Sequence, residues 1–147
     1  MRNLFIFIFI FTYAFSMRLS AINLEQLELE DGFEISIFAD NLDAPRQMVE
    51  GENGTIFVAE RGGQILALID ADKNGQIDSK IIVAKDLTLS TGLSIFDGSL
   101  YFSEISKIWK INNIEDWLRN QTDINELPNK NLVIDGLPDD TWHGWKW

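Results

Sequence analysis

Apolar and polar positions alternate along this chain in short runs separated by turn residues. In Phe33-Glu-Ile-Ser-Ile-Phe-Ala39 the apolar Phe33, Ile35 and Ile37 alternate with Glu34 and Ser36, which predicts a half-buried strand opened by Gly32. A connection rich in Asn, Asp and Pro follows and leads to a short run at 47–49. Strands are then predicted at 55–59, 64–69 and 80–84, the first two joined by the tight turn Arg61-Gly-Gly63. Runs at 93–96, 99–103 and 107–111 repeat this order, and 131–134 resumes it. One segment breaks the pattern. Residues 113–120 read as a short helix capped by Asn112 or Asn113, with Glu115 and Asp116 in the first turn and Trp117 and Leu118 as its anchors.

The runs form a repeat. Asn53-Gly-Thr-Ile-Phe-Val-Ala-Glu60 returns as Asp97-Gly-Ser-Leu-Tyr-Phe-Ser-Glu104, with Gly98, Tyr101 and Glu104 each 44 positions after Gly54, Phe57 and Glu60. A period of about 40–50 residues built from strands points to β-propeller blades. At about 44 residues a blade, a four-bladed ring takes roughly 180 residues and a six-bladed one roughly 260. A chain of 147 residues therefore predicts an all-β fold, an incomplete β-propeller of two blades and the start of a third over residues 22–147. Segments 42–48, 87–93 and 137–145 lead into successive inner strands and place Arg46, Thr91 and His143 at equivalent positions beside a central channel. The third segment is two residues longer and holds the one histidine of the sequence. An imidazole titrates near neutral pH, so the chemistry of His143 fits a catalytic base; the other reading of a lone histidine is a surface or packing residue.

Charge and composition narrow the partners. A formal charge of −11, from 23 acidic and 12 basic residues, argues against nucleic acid, because phosphate binding needs a basic face. With no cysteine, disulfides, thiolate metal sites and haem attachment are excluded from this segment. Arg2, the apolar run from Leu4 to Phe11 with Ala14 and Phe15, and small residues at Ser16, Ser20 and Ala21 predict a secretory signal peptide over residues 1–21, cleaved after Ser16 or after Ala21. That run is short for the roughly 20 residues of a bilayer span. A periplasmic or secreted protein is expected, with no membrane contact beyond the signal segment. Asp70, Asp72, Asn74, Gln76 and Asp78 stand at positions one, three, five, seven and nine of a calcium-loop pattern with Gly75 at the sixth. Ile81 occupies the twelfth, where an EF-hand needs a bidentate Glu, and the flanks read as strand. Two readings remain for this loop: a surface calcium site that stiffens an inter-strand turn, or a solvated turn that uses Asp, Asn and Gly for their turn propensity.

Taken together, Gly32-Phe-Glu-Ile-Ser-Ile-Phe-Ala-Asp-Asn41, Arg46-Gln-Met48, Asn53-Gly-Thr-Ile-Phe-Val58, the loop from Asp70 to Asp78, Asn113-Ile-Glu115 and His143-Gly-Trp-Lys146 resemble the N-terminal part of the glucose/sorbosone dehydrogenase family. The resemblance implies an exported six-bladed propeller that uses pyrroloquinoline quinone (PQQ) and calcium. It implies oxidation of a sugar or sugar-like alcohol or aldehyde, with hydride passing to the quinone and an electron acceptor in the periplasm. The base role falls on His143 or its neighbour, since sorbosone-type members carry two adjacent histidines where this chain has Trp142 and His143, and the glucose-oxidising branch places its base where Thr141 stands. The quinone's basic partners lie in later blades of that family, so the fragment is expected to be inactive alone. Two other classes fit a propeller: a non-catalytic binding or interaction module, and a calcium-dependent lactonase, to whose channel neither Arg46 nor Thr91 is suited.

Overall fold

The computed structural model describes residues 24–123 and 125–140, and divides the chain into two compact units, residues 1–35 and 36–147. Signal segment 1–21 and His143 lie outside the described residues. In the first unit, a single 3-10 turn at Leu24–Gln26 is closed by the Leu27 N–H donating to Leu24 O at 3.1 Å, and Gly32, at φ 90°, lets Phe33 N–H reach Glu30 O at 3.2 Å. The strand expected over 33–39 does not form. Alternation makes a strand only when a neighbouring edge supplies a ladder and a neighbouring face covers the apolar side. Here Phe33, Ile35 and Ile37 are 71%, 44% and 49% exposed.

The second unit carries two four-stranded antiparallel sheets, each a meander in sequence order. The first contains β1 (Pro45–Glu50), β2 (Ile56–Glu60), β3 (Gln64–Ile69) and β4 (Ser79–Ala84); the second contains β5 (Leu93–Phe96), β6 (Ser99–Ser103), β7 (Ile108–Ile111) and β8 (Lys130–Ile134). The all-β expectation holds for the described residues, and the repeat seen in the sequence is a repeat of register. Val58 pairs with Met48 and Leu66, and Phe102, 44 positions on, pairs with Leu93 and Trp109.

One core cluster joins the sheets. Phe57, Ala59, Ile65, Ala67 and Val83 from the first meet Leu93, Leu100, Phe102 and Ile111 from the second. Full burial of Phe57 and near-full burial of Phe102 remove each ring from water, and truncating such a residue to Ala typically costs about 3–5 kcal/mol. On the first sheet's other face, Val58, Leu66 and Leu68 are covered by Phe38, Ala39, Leu42 and Ile77, and Ile77 N–H donates to Phe38 O at 3.1 Å. Phe38 and Ala39 thus pack as an irregular cover.

The expected helix is α1 (Ile114–Asn120), with a different start. Asn113 sits at its N-cap in the left-handed region, φ 48° and ψ 48°, and makes no side-chain capping bond. The fully buried anchor is Ile114, whose N–H reaches Gly98 O at 3.1 Å, with Trp117 and Leu118 partly buried against the same core. Glu115 serves neither cap nor solvent. It reaches the β1–β2 turn of the other sheet, accepting from Thr55 Oγ1 at 2.9 Å and from Asn53 N–H at 3.3 Å, and its Oε1 lies where a side chain on Gly51 would stand.

Candidate functional site

The segments that lead into the first strands are built twice on one plan. Asn41 and Ala44 hold left-handed backbone at φ 53° and 48°, and Asp86 and Leu89, each 45 positions on, do so at 58° and 51°. Residues with a side chain pay about 1–2 kcal/mol for that region, so the surroundings must hold them there. Two buried carboxylates do this. Glu60, at the end of β2, accepts Asp43 N–H at 2.6 Å, and Glu104, after β6, accepts Thr88 N–H at 3.0 Å. They are 5% and 9% exposed. Glu104 also receives Trp109 Nε1–H at 3.2 Å, and Ser90 Oγ donates to Glu60 O at 2.8 Å, tying the second segment to the first sheet.

A further bond ties each outgoing segment back to the sheet it leaves. Leu87 N–H donates to Gly63 O at 3.0 Å, in the β2–β3 turn, and Leu137 N–H donates to Ser106 O at 3.0 Å, in the β6–β7 turn. Gly136, just before Leu137, is left-handed at φ 73°, as are Asn41 before Leu42 and Asp86 before Leu87. The third segment therefore starts on the second sheet as the second starts on the first. Gly63 has φ 90° and no room for a side chain, because a Cβ would meet Leu87 O.

Two of the three equivalent positions are described. Arg46 is the extra residue of a β-bulge in β1, where pairing passes from Pro45 with Glu60 to Gln47 with Ala59, and it is exposed. A bulge of this kind re-aims the side chain it carries. Thr91 is 1% exposed. The position of His143 is outside the described residues, as are its neighbours Thr141 and Trp142. The pinning glutamates were visible in the sequence only as an acid repeated at the end of a strand, a signal that carries no role until the partners are seen.

The acidic loop joins β3 to β4. One carboxylate oxygen each from Asp70, Asp72 and Asp78 lies within 4.8 Å of the others. Asp70 accepts the N–H groups of Asn74 at 3.1 Å and Gly75 at 2.9 Å, Asp78 accepts Ala71 N–H at 2.7 Å, and Asn74 Oδ1 accepts Gln76 N–H at 2.9 Å. Asn74 Nδ2 donates to Asp72 at 3.0 Å, and Gln76 is exposed. Clustered carboxylate oxygens suit a hard cation such as calcium. An open depression of about 640 Å³ adjoins the loop, lined in part by Phe38, Glu50, Asn53, Asp70 and Lys73.

The two places are not one site. Pairing of Pro45 with Glu60 puts Arg46 and the first-strand segments at one end of the first sheet, and pairing of Ile69 with Ser79 puts the acidic loop at the other. A strand of six residues separates those ends by about 17 Å. A cation held by Asp70, Asp72 and Asp78 acts on the turn and touches nothing bound beside Arg46.

No family model matches the chain. An uncharacterized protein of Borreliella burgdorferi is 30% identical over 91 residues, which cover 61% of this chain and 22% of that protein. Among solved structures, the holo form of the pyranose dehydrogenase PQQ domain from Coprinopsis cinerea superposes with a TM-score of 0.62 at 19% identity, over 80% of this chain and 27% of that one. The iodide and calcium structures of a Trichoderma reesei carbohydrate-active enzyme of family AA12 give TM-scores of 0.56 and 0.57 at 20% identity, over 73% and 74% of this chain and 27% of theirs. The chain spans about a fifth of the curated relative's length and about a quarter of each structural neighbour's. No described helix is long and apolar enough to cross a membrane. What the chain shares with these neighbours is fold, over about a quarter of each of their chains.

Proposed function

We propose that this chain is the N-terminal portion of an exported, PQQ-dependent sugar dehydrogenase, in which its two sheets are the first blades of a propeller. The observation that carries this reading is the superposition on the PQQ domain of a pyranose dehydrogenase over 80% of the chain at a TM-score of 0.62. The quinone, when bound, supplies the two-electron acceptor. His143 takes the proton of the substrate hydroxyl at a ring nitrogen, at the third of the equivalent positions headed by Arg46 and Thr91. Among the described residues, Arg46 is the one basic side chain on the first strands β1 and β5. One cation does not match the three carboxylates of the quinone, so no cradle is assigned to these residues and further blades must complete it. Calcium belongs to the other end of the first sheet, on Asp70, Asp72 and Asp78 with oxygens from Asn74 and Gln76, where it would cross-brace the β3–β4 turn. Residues 1–21 act as the signal segment, and the mature protein works in the periplasm or outside the cell, passing electrons to an acceptor there.

The test is reconstitution. The chain alone, supplied with PQQ and calcium, is expected to reduce no dye with any aldose. Joined to the blades that follow it in the ring, it is expected to reduce dye with a sugar substrate, and His143→Ala is expected to cost at least about a hundredfold, the lower range for a general base. Absence of activity in the complete form, or full activity after His143→Ala, overturns the reading.

A further inference from the structure

Strands β1 and β5 lie side by side as the first strands of their sheets, yet no ladder joins them. Leu93 opens β5 opposite Phe102. Its N–H receives no β6 acceptor; instead it donates to Gln47 Oε1 at 3.1 Å, while its C=O accepts from Gln47 Nε2 at 3.4 Å. Both main-chain groups of Leu93 therefore point toward β1. A carboxamide offers one acceptor and a donor in one plane, the same pair a peptide group offers in a ladder. The Gln47 side chain, half-buried and rooted one residue after the Arg46 bulge, occupies the place of a missing strand partner.

We propose that Gln47 is a positioning residue that sets the spacing of β1 and β5, and with it the placement of Arg46 and Thr91, by standing in for a backbone partner of Leu93. The surroundings suit that role. Leu93 is 7% exposed, so unmet polar groups there cost more than at an open edge. Gly92 occupies the equivalent position of the second sheet, and its own groups are spent locally: its N–H donates to Ser103 Oγ at 2.9 Å and its C=O accepts Ser103 N–H at 3.0 Å. With no side chain at Gly92, the amide bridge is made once among the described residues, between these two sheets.

The bridge stands on its hydrogen bonds; its consequence for a bound ligand rests on the proposed function. Hydrogen exchange of the Leu93 amide tests the first in the chain as the cell processes it. Gln47→Met keeps the size and removes both polar groups, and the protection factor of Leu93 is expected to fall about tenfold, as for two neutral hydrogen bonds. Gln47→Glu keeps the acceptor for Leu93 N–H and sets a carboxylate against Leu93 O; protection is expected to fall at about pH 7.5, by less than in Gln47→Met, and to recover near pH 4, where a protonated carboxyl can donate again. Unchanged Leu93 protection in Gln47→Met, or a loss in Gln47→Glu that pH does not reverse, overturns the bridge. In the complete dehydrogenase the same Gln47→Glu substitution is expected to give a dye-reduction rate about tenfold lower than wild type at about pH 7.5, with the gap closing toward acid pH. A pH profile parallel to wild type overturns the positioning role. Failure of wild type to turn over at all overturns the proposed function and leaves the exchange result to decide the bridge.

Discussion

Replacing Glu104 by Ala is the sharpest single perturbation of the segment that leads into the second sheet. The carboxylate accepts Thr88 N–H at 3.0 Å and Trp109 Nε1–H at 3.2 Å, and it is 9% exposed. Hydrogen bonds to a charged group contribute about 1.5–3 kcal/mol each. Water can reach Thr88, which is exposed, and recovers part of one of them, while desolvation of the carboxylate offsets part of both. The net loss for Glu104→Ala is then about 2–3 kcal/mol. Glu60→Ala removes the bond from Asp43 N–H alone, and about 1 kcal/mol is expected. Glu104→Gln keeps one acceptor for two donors and should fall between them. Urea unfolding followed by tryptophan emission reads these differences directly. With a slope of about 1.5 kcal/mol per molar, Glu104→Ala lowers the midpoint by about 1.3–2 M. Equal shifts for Glu60→Ala and Glu104→Ala, or no shift for Glu104→Ala, would refute the reasoning, because the two acids differ mainly in the second donor.

Two further outcomes are expected. Gly51→Ala places a methyl group on Glu115 Oε1 and should cost about 1–3 kcal/mol, largely relieved when Glu115→Ala is present as well; additive losses in a double-mutant cycle would separate the two residues. Calcium at about a hundredfold excess over its dissociation constant should stabilise the chain by about 2.7 kcal/mol, and Asp70→Asn or Asp78→Asn should abolish the gain, as read by melting with and without chelator.

Much of the fold was legible because short-range signals and long-range packing agree in the repeat. Gly54 at φ 87° and Gly98 at φ 66° turn the chain where the paired Asn53-Gly and Asp97-Gly motifs predict turns, and the strands after them fall within a residue or two of expectation. Where the two disagree, the reading failed. Residues 33–39 have a strand's alternation and pair with no described strand, and a strand is a property of two chains of backbone. Asn113 has a capping side chain, yet its carbonyl, accepting Trp117 N–H at 3.0 Å, and its left-handed φ set the helix start. Glu115 looked like a first-turn charge, and only the approach of the other sheet's turn gives it Asn53 and Thr55 as partners. The bridge by Gln47 leaves no local signature at all, since a glutamine in a polar run looks the same whether or not a bare strand edge lies opposite.

The layout of the first sheet bears on how stability and chemistry divide in this molecule. Its β3–β4 end holds the carboxylates that suit a cation, and their oxygens already close the loop through the N–H groups of Ala71, Asn74 and Gly75. Its other end holds strained backbone at Asn41 and Ala44, a bulge at Arg46, and the carboxylate of Glu60 pinning the segment. Strain of that kind persists only where surroundings over-determine it, and the second sheet repeats both the strain and the pin, though not the bulge. A solvated turn needs no such duplication, whereas a surface that must present successive strand-entry segments in one backbone conformation does. Under the proposed function the ligand is read at the end with the repeated carboxylates and not at the acidic loop, and the loss of order in residues 41–46 when Glu60 is truncated, measured by hydrogen exchange at Asp43, is the outcome expected if Glu60 pins that segment.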